Sequence, residues 1–136
     1  MARTRKNITL YHAVFCPKWR RSWLTGDVAA ACEGLLYYQA AQKGIKIVAL
    51  AIMPDHVHVL IQTENSLVGI ARIMHWLKWF TSKRLRERFK HLAVHKAFWA
   101  EHYFSRSVQT EGLKGEIQKK SDARTVVNYI NQQFAN

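Results

Sequence analysis

His56 and His58 stand one residue apart in the run Met53-Pro54-Asp55-His56-Val57-His58-Val59-Leu60-Ile61-Gln62. On a strand, side chains at that spacing project to the same face. Two neutral imidazoles side by side are good ligands for one divalent cation. Val57, Val59 and Ile61 take the opposite parity and suit a buried face. Two ligands hold a labile ion poorly, so a third group must come from another element. The stretch Asn128-Tyr129-Ile130-Asn131-Gln132-Gln133-Phe134 offers candidates. At about 100° per residue, Tyr129 and Gln133 lie on one side of a helix, about 40° apart. Val127, Ile130 and Phe134 gather on another flank and can pack. An amide oxygen is a competent metal ligand. A phenol is a competent nucleophile once something offsets its pKa of about 10. His12, His75, His91, His95 and His102 have no spacing partner that suggests a site, and Tyr37 and Tyr38 read as packing residues.

The elements that must position these groups follow from periodicity and punctuation. Ile8 to Phe15 is a strand, broken by the charged loop Cys16-Pro17-Lys18-Trp19-Arg20-Arg21. Thr25-Gly26-Asp27 starts a helix whose apolar residues, Val28, Ala31, Cys32, Leu35, Leu36 and Ala40, recur at helical spacing and which Gly44 ends. Ile45 to Met53 is a strand. In it Ile45, Ile47, Ala49 and Ala51 share one parity, and Val48, Leu50 and Ile52 the other. Pro54-Asp55 is a tight turn into an antiparallel strand, Val57 to Gln62. Ser66 to Phe89 is a long helix with Ile70, Ile73, Leu77 and Phe80 as its apolar stripe. A short strand falls around Tyr103-Phe104, and Asp122 caps a last helix through Phe134. The order β-α-β-β-α-β-α predicts a single domain over residues 1–136, of α+β class. It is ferredoxin-like: an antiparallel sheet with helices on one face, plus a C-terminal helix carrying Tyr129. The histidines then belong on the open face of the sheet.

Lysines and arginines number 21 against 9 acids, a net charge of +12. Such an excess points to nucleic acid, because neutralised phosphates release bound counterions. Arg3, Arg5, Lys6, Lys18, Arg20 and Arg21 form one cationic group near the first strand. Lys78, Lys83, Arg84, Arg86, Arg88 and Lys90 form another along the second long helix. These would bind phosphates and set position more than sequence. Trp19, Trp23, Trp76 and Trp79 interleave with them and suit stacking on unpaired bases. No apolar run approaches the roughly 18–20 residues of a membrane span, and no signal-peptide core is present, so no membrane partner is expected. Cys16 and Cys32 are far apart and outside any CxxC spacing, which fits two reduced structural thiols and a cytoplasmic setting. Histidine-triad nucleotide hydrolases are excluded, since Leu60 stands where their third histidine would be.

Taken together, Tyr11–Arg21, Leu24–Ala29, Met53–Ile61, Ser82–Phe89, Phe98–Val108 and Val126–Gln133 resemble, in order and over most of the chain, the single-tyrosine HUH transposases of the insertion sequence 200/605 family. The resemblance implies His56, His58 and Gln133 as ligands of Mg2+ or Mn2+, and Tyr129 as nucleophile. It implies cleavage and rejoining of single-stranded DNA at hairpin-bearing insertion-sequence ends, through a 5′-phosphotyrosine link and without a nucleotide cofactor. It also implies a homodimer. Two other readings share parts of the pattern: a host-domesticated, palindrome-processing HUH nuclease, and a non-catalytic ferredoxin-like nucleic-acid-binding module.

Overall fold

The computed structural model describes residues 8–64 and 69–108. The terminal helix expected from Asp122 to Phe134, with Tyr129 and Gln133, lies outside the described residues, as do Arg3, Arg5 and Lys6. The elements are β1 (Ile8–Phe15), a 3-10 turn (Lys18–Arg20), α1 (Gly26–Gln42), β2 (Lys46–Met53), β3 (His56–Glu64), α2 (Ile70–Arg88), a single-turn α3 (Lys90–Ala93) and β4 (Phe104–Val108). The strands form one sheet in the order β2-β3-β1-β4, every pair antiparallel. This is the ferredoxin-like arrangement that the element order predicts.

Alternation sorts β1 and β3 cleanly. Ala13, Phe15, Val57, Val59 and Ile61 are buried in one core with Leu36 of α1 and Ile73 and Leu77 of α2. α1 and α2 touch each other on that side of the sheet. α1 stops as expected: Ile45 N–H bonds Ala40 C=O at 2.8 Å and Gly44 N–H bonds Ala41 C=O at 3.2 Å. Gly44 sits at φ 68°. That is a Schellman closure, which needs the left-handed residue glycine adopts freely.

Three expectations change. The parity of β2 switches midway: Ile47 pairs Ile61, yet Ala49 pairs Leu60, leaving Val48 as an extra residue. Such a bulge shifts the pleat by one, so Ile47, Leu50 and Ile52 all pack against the core, while Ala51 and Met53 pair with His58 and His56. On α2, Phe80 is only partly buried and stacks on Tyr38 at 5.7 Å. The buried stripe is Ile73, Met74, Leu77, Thr81, Ser82 and Leu85. Thr81 and Ser82 go inside because both are hydrogen-bonded: Trp99 Nε1 donates to Thr81 Oγ1 at 2.8 Å, and Phe98 N–H to Ser82 Oγ at 3.0 Å. Finally, the second sheet face is not open. Leu10, His12 and Leu60 are buried there. Exposure returns at the hairpin end, where Met53 is 45% exposed. No described helix is long and apolar enough to cross a membrane.

Candidate metal centre

Met53 pairs with His56, so Pro54-Asp55 is a two-residue hairpin loop and His56 is the first residue of β3. His58 follows on the same face, as alternation requires. The two rings lie with centroids 4.9 Å apart at 80° to each other.

Each ring is held through its Nδ1. His56 Nδ1 donates to Asp55 Oδ1 at 2.7 Å, and the other oxygen of Asp55 accepts from Arg20 at 3.2 Å. The hydrogen bond from His56 is the largest cause holding the Asp55 carboxyl below its usual range. His58 Nδ1 lies 3.1 Å from Nε2 of His12. The two rings are nearly parallel, with centroids 5.3 Å apart. His12 sits on β1 opposite Leu60, which makes it the diagonal neighbour of His58 on this face. With Nδ1 engaged on both rings, Nε2 is the nitrogen through which each would hold a cation. His58 then carries its proton on Nδ1 and donates it to His12. Orientation of a ligand histidine by a carboxylate or another acceptor is how metal sites fix the tautomer. The arrangement therefore fits a divalent ion held by two imidazoles and open to further oxygen ligands. Among the described residues no three His, Cys, Asp or Glu side chains are placed to hold a metal ion together, so a third protein ligand must come from another residue type or another part of the chain.

Asp55→Ala removes the acceptor that orients His56. The expected result is a 10–100-fold weaker affinity for Mn2+ by titration calorimetry, the usual scale for such supporting groups. Asp55→Asn, which keeps an acceptor, loses less. The melting temperature changes little, because the Arg20–Asp55 pair is exposed and worth under about 1 kcal/mol.

Both His12, which is buried, and His58, which is half-buried, are biased toward the neutral form. Burial, then the neighbouring His58 and Arg106, lowers the His12 pKa from 6.5 to about 4. Burial, then His56, lowers that of His58. Below about pH 6.5 the unfolded chain binds a proton on His12 that the folded chain refuses. The stability carried by the neutral ring is thus complete above that pH and lost as pH falls through about 4. Thermal unfolding is expected to drop by roughly 5–10 °C over this window beyond the loss seen in His12→Gln. Equal drops in the two proteins would refute it.

The cationic groups separate. Lys18, Arg20 and Arg21 occupy the turn after β1, and Arg20 joins the histidine end through Asp55. Lys83, Arg84, Arg86 and Arg88 lie on α2, across the sheet from the histidines. Arg86 bonds Ser82 C=O and His95 C=O, a structural role, and Arg84 pairs with Glu87 at 3.2 Å. Lys83 lies 5.3 Å from the Trp79 ring. A cavity of about 480 Å³ opens on this helix side, lined by Lys78, Trp79, Arg86 and Tyr103 among others. Among the described tyrosines, Tyr37 and Tyr38 belong to α1, and Tyr11 shares the helix-side parity of Ala13. Cys32 is buried, with its thiol pushed up to about 12, and is inert; Cys16 is partly exposed.

Spacing did not reveal His12, Asp55 or Arg20 as parts of this centre. His12 lies 46 residues from His58, and only the strand register brings them together. The available signal was its even parity in β1, which puts it on the histidine side.

Comparison with known proteins gives one family. The IS200-like transposases match residues 6–133. The ISDra2 transposase TnpA of Deinococcus radiodurans is 28% identical over 113 residues, covering 80% of this chain and 79% of that one. The transposase for insertion sequence element IS200 of Salmonella typhimurium is 30% identical over 107 residues, covering 76% and 69%. A crystal structure of a protein assigned as a transposase, from Deinococcus radiodurans R1, superimposes with a TM-score of 0.72 at 27% identity, covering 100% of this chain and 98% of that one. A REP-associated tyrosine transposase bound to a REP hairpin shares the fold, with a TM-score of 0.53 at 15% identity over 85% of this chain and 67% of that one.

Proposed function

The chain belongs to the IS200-like transposase family, and from that premise we propose that it cuts and rejoins single-stranded DNA at the hairpin-bearing ends of an insertion sequence. The observation that carries the reading is the matched span, residues 6–133. It spans both the histidine pair and the Tyr129–Gln133 pair. His56 and His58 hold a divalent cation through Nε2, and Gln133 supplies the third protein ligand. When bound, the cation draws charge from the scissile phosphate and stabilises the leaving 3′ oxygen. Two imidazoles alone suit zinc or nickel as well as magnesium. An amide oxygen and phosphate oxygens shift the preference toward Mg2+ or Mn2+.

Tyr129 then attacks phosphorus. The phenol gives up its proton to water, the phenolic O–P bond forms, the P–O3′ bond breaks, and the departing oxygen takes a proton from water to become a 3′-hydroxyl. The 5′ phosphate stays on the tyrosine. A second 3′-hydroxyl reverses the step and joins strands. The covalent link conserves the bond energy, so no nucleotide cofactor is required. The acting unit is a homodimer, working in the cytoplasm on nucleoid DNA. β4 supports this as a sheet-edge strand among the described residues, with Phe104 on it 49% exposed.

The test is direct. The protein is incubated with single-stranded DNA carrying its own element's ends, in Mn2+, and the products are resolved in SDS. A denaturation-resistant protein–DNA band supports the reading; its absence with cognate ends defeats it.

A further inference from the structure

Between β1 and α1 the backbone passes through two consecutive left-handed residues, Trp19 at φ 58° and Arg20 at φ 52°. Neither is glycine, asparagine or aspartate, so each costs roughly 1–2 kcal/mol against the right-handed form. Such strain persists where the surroundings over-determine it. Here they do. Arg20 N–H bonds Pro17 C=O at 2.8 Å, Lys18 N–H bonds Phe98 C=O at 2.9 Å, and Ala100 N–H bonds Cys16 C=O at 2.8 Å. Pro17 also bridges Trp99.

The product of this fixed turn is an indole in solvent. Trp19 is 68% exposed, though tryptophan is highly buried on average. Cations flank it: Lys18 Nζ is 4.8 Å and Arg21 Cζ 5.3 Å from the ring. Arg20, in the same turn, points instead to Asp55 and so to His56. The turn thus sets a flat aromatic face and two positive charges next to the histidine end. A partner that satisfies both has a π face and negative charge on either side of it, as an unpaired nucleotide does. Exposed cation–π contacts are worth about 0.5–1 kcal/mol, base stacking on an aromatic about 1–3. A base therefore displaces a cation from the ring, and the freed cation meets a phosphate.

We propose that Trp19 is a stacking platform for one unpaired base of the DNA strand that leads to the histidine centre, with Lys18 and Arg21 on the adjoining phosphates. This rests on the transposase reading and names the strand segment that reading requires.

Two fluorescent probes test it by anisotropy: a blunt DNA hairpin, and the same hairpin with a short unpaired arm. Trp19→Ala is expected to weaken binding of the armed hairpin about tenfold and leave the blunt one unchanged. Trp19→Phe keeps most of the affinity. Lys18→Ala lowers the salt slope for the armed probe by about 0.7. The platform is overturned if Trp19→Ala binds the armed probe like wild type, or weakens both probes equally. If wild type still forms the covalent band in that case, only the platform falls. If wild type forms no band and does not distinguish the probes, the transposase reading falls with it.

Discussion

Tyr129→Phe is expected to leave no SDS-resistant DNA adduct, with strand cleavage at about a thousandth of wild type or less, the scale on which loss of a nucleophile acts. The variant removes one oxygen and keeps the ring, so hairpin binding stays at wild-type affinity. Among the described residues no tyrosine contacts His56 or His58. Tyr37 and Tyr38 lie on α1, across the sheet from the histidines. Burial, then Glu33, raises the Tyr37 pKa, which disfavours its phenolate. Tyr37→Phe should therefore retain the band. An adduct that persists in Tyr129→Phe and maps to another residue would reassign the nucleophile.

The second large effect is loss of metal binding in His58→Ala. His56 and His58 are the two imidazoles proposed to hold the ion, and removing one is expected to weaken Mn2+ by at least about a hundredfold, beyond the range for a supporting group. Cleavage falls with it. The variant also removes the hydrogen bond that the His58 ring donates to His12, so a parallel His58→Asn separates ligation from packing. Asn keeps a polar group near His12 but is a poorer ligand, so it should recover melting temperature without recovering metal affinity. Calorimetric titration that finds wild-type affinity in either variant would remove His58 from the site.

Where neighbours along the chain decide the outcome, the sequence was sufficient. The Pro54-Asp55 turn, the Gly44 stop and the shared face of His56 and His58 all depend on residues within a few positions, and all appear in the structure. Where distant strands decide, it was not. His12 had no spacing partner, because its partner lies across the β1–β3 register. Asp55 read only as a turn residue, since the Arg20 that grips it comes from a loop 35 residues away. Thr81 and Ser82 are polar and stood outside the expected stripe; the hydrogen bonds from Trp99 and Phe98 that admit them are made by a segment whose path local pattern does not fix. Phe80 was the natural choice for the stripe on hydrophobicity alone, yet α1 leaves it at the margin with Tyr38.

Val48 has a bearing on how this chain tolerates change in length. The surplus residue divides β2 into a half answerable to α1 and a half clamped opposite the imidazoles by Ala51 and Met53. A one-residue insertion or deletion before Val48 can be absorbed there, by enlarging or erasing the kink, and would not rotate Ala51 or Met53 away from their partners. The same edit after Val48 has no such buffer. It would turn the imidazole-facing side of the ribbon inside out. Indel drift in this hairpin should therefore be one-sided, permitted toward the helix and forbidden toward the imidazoles.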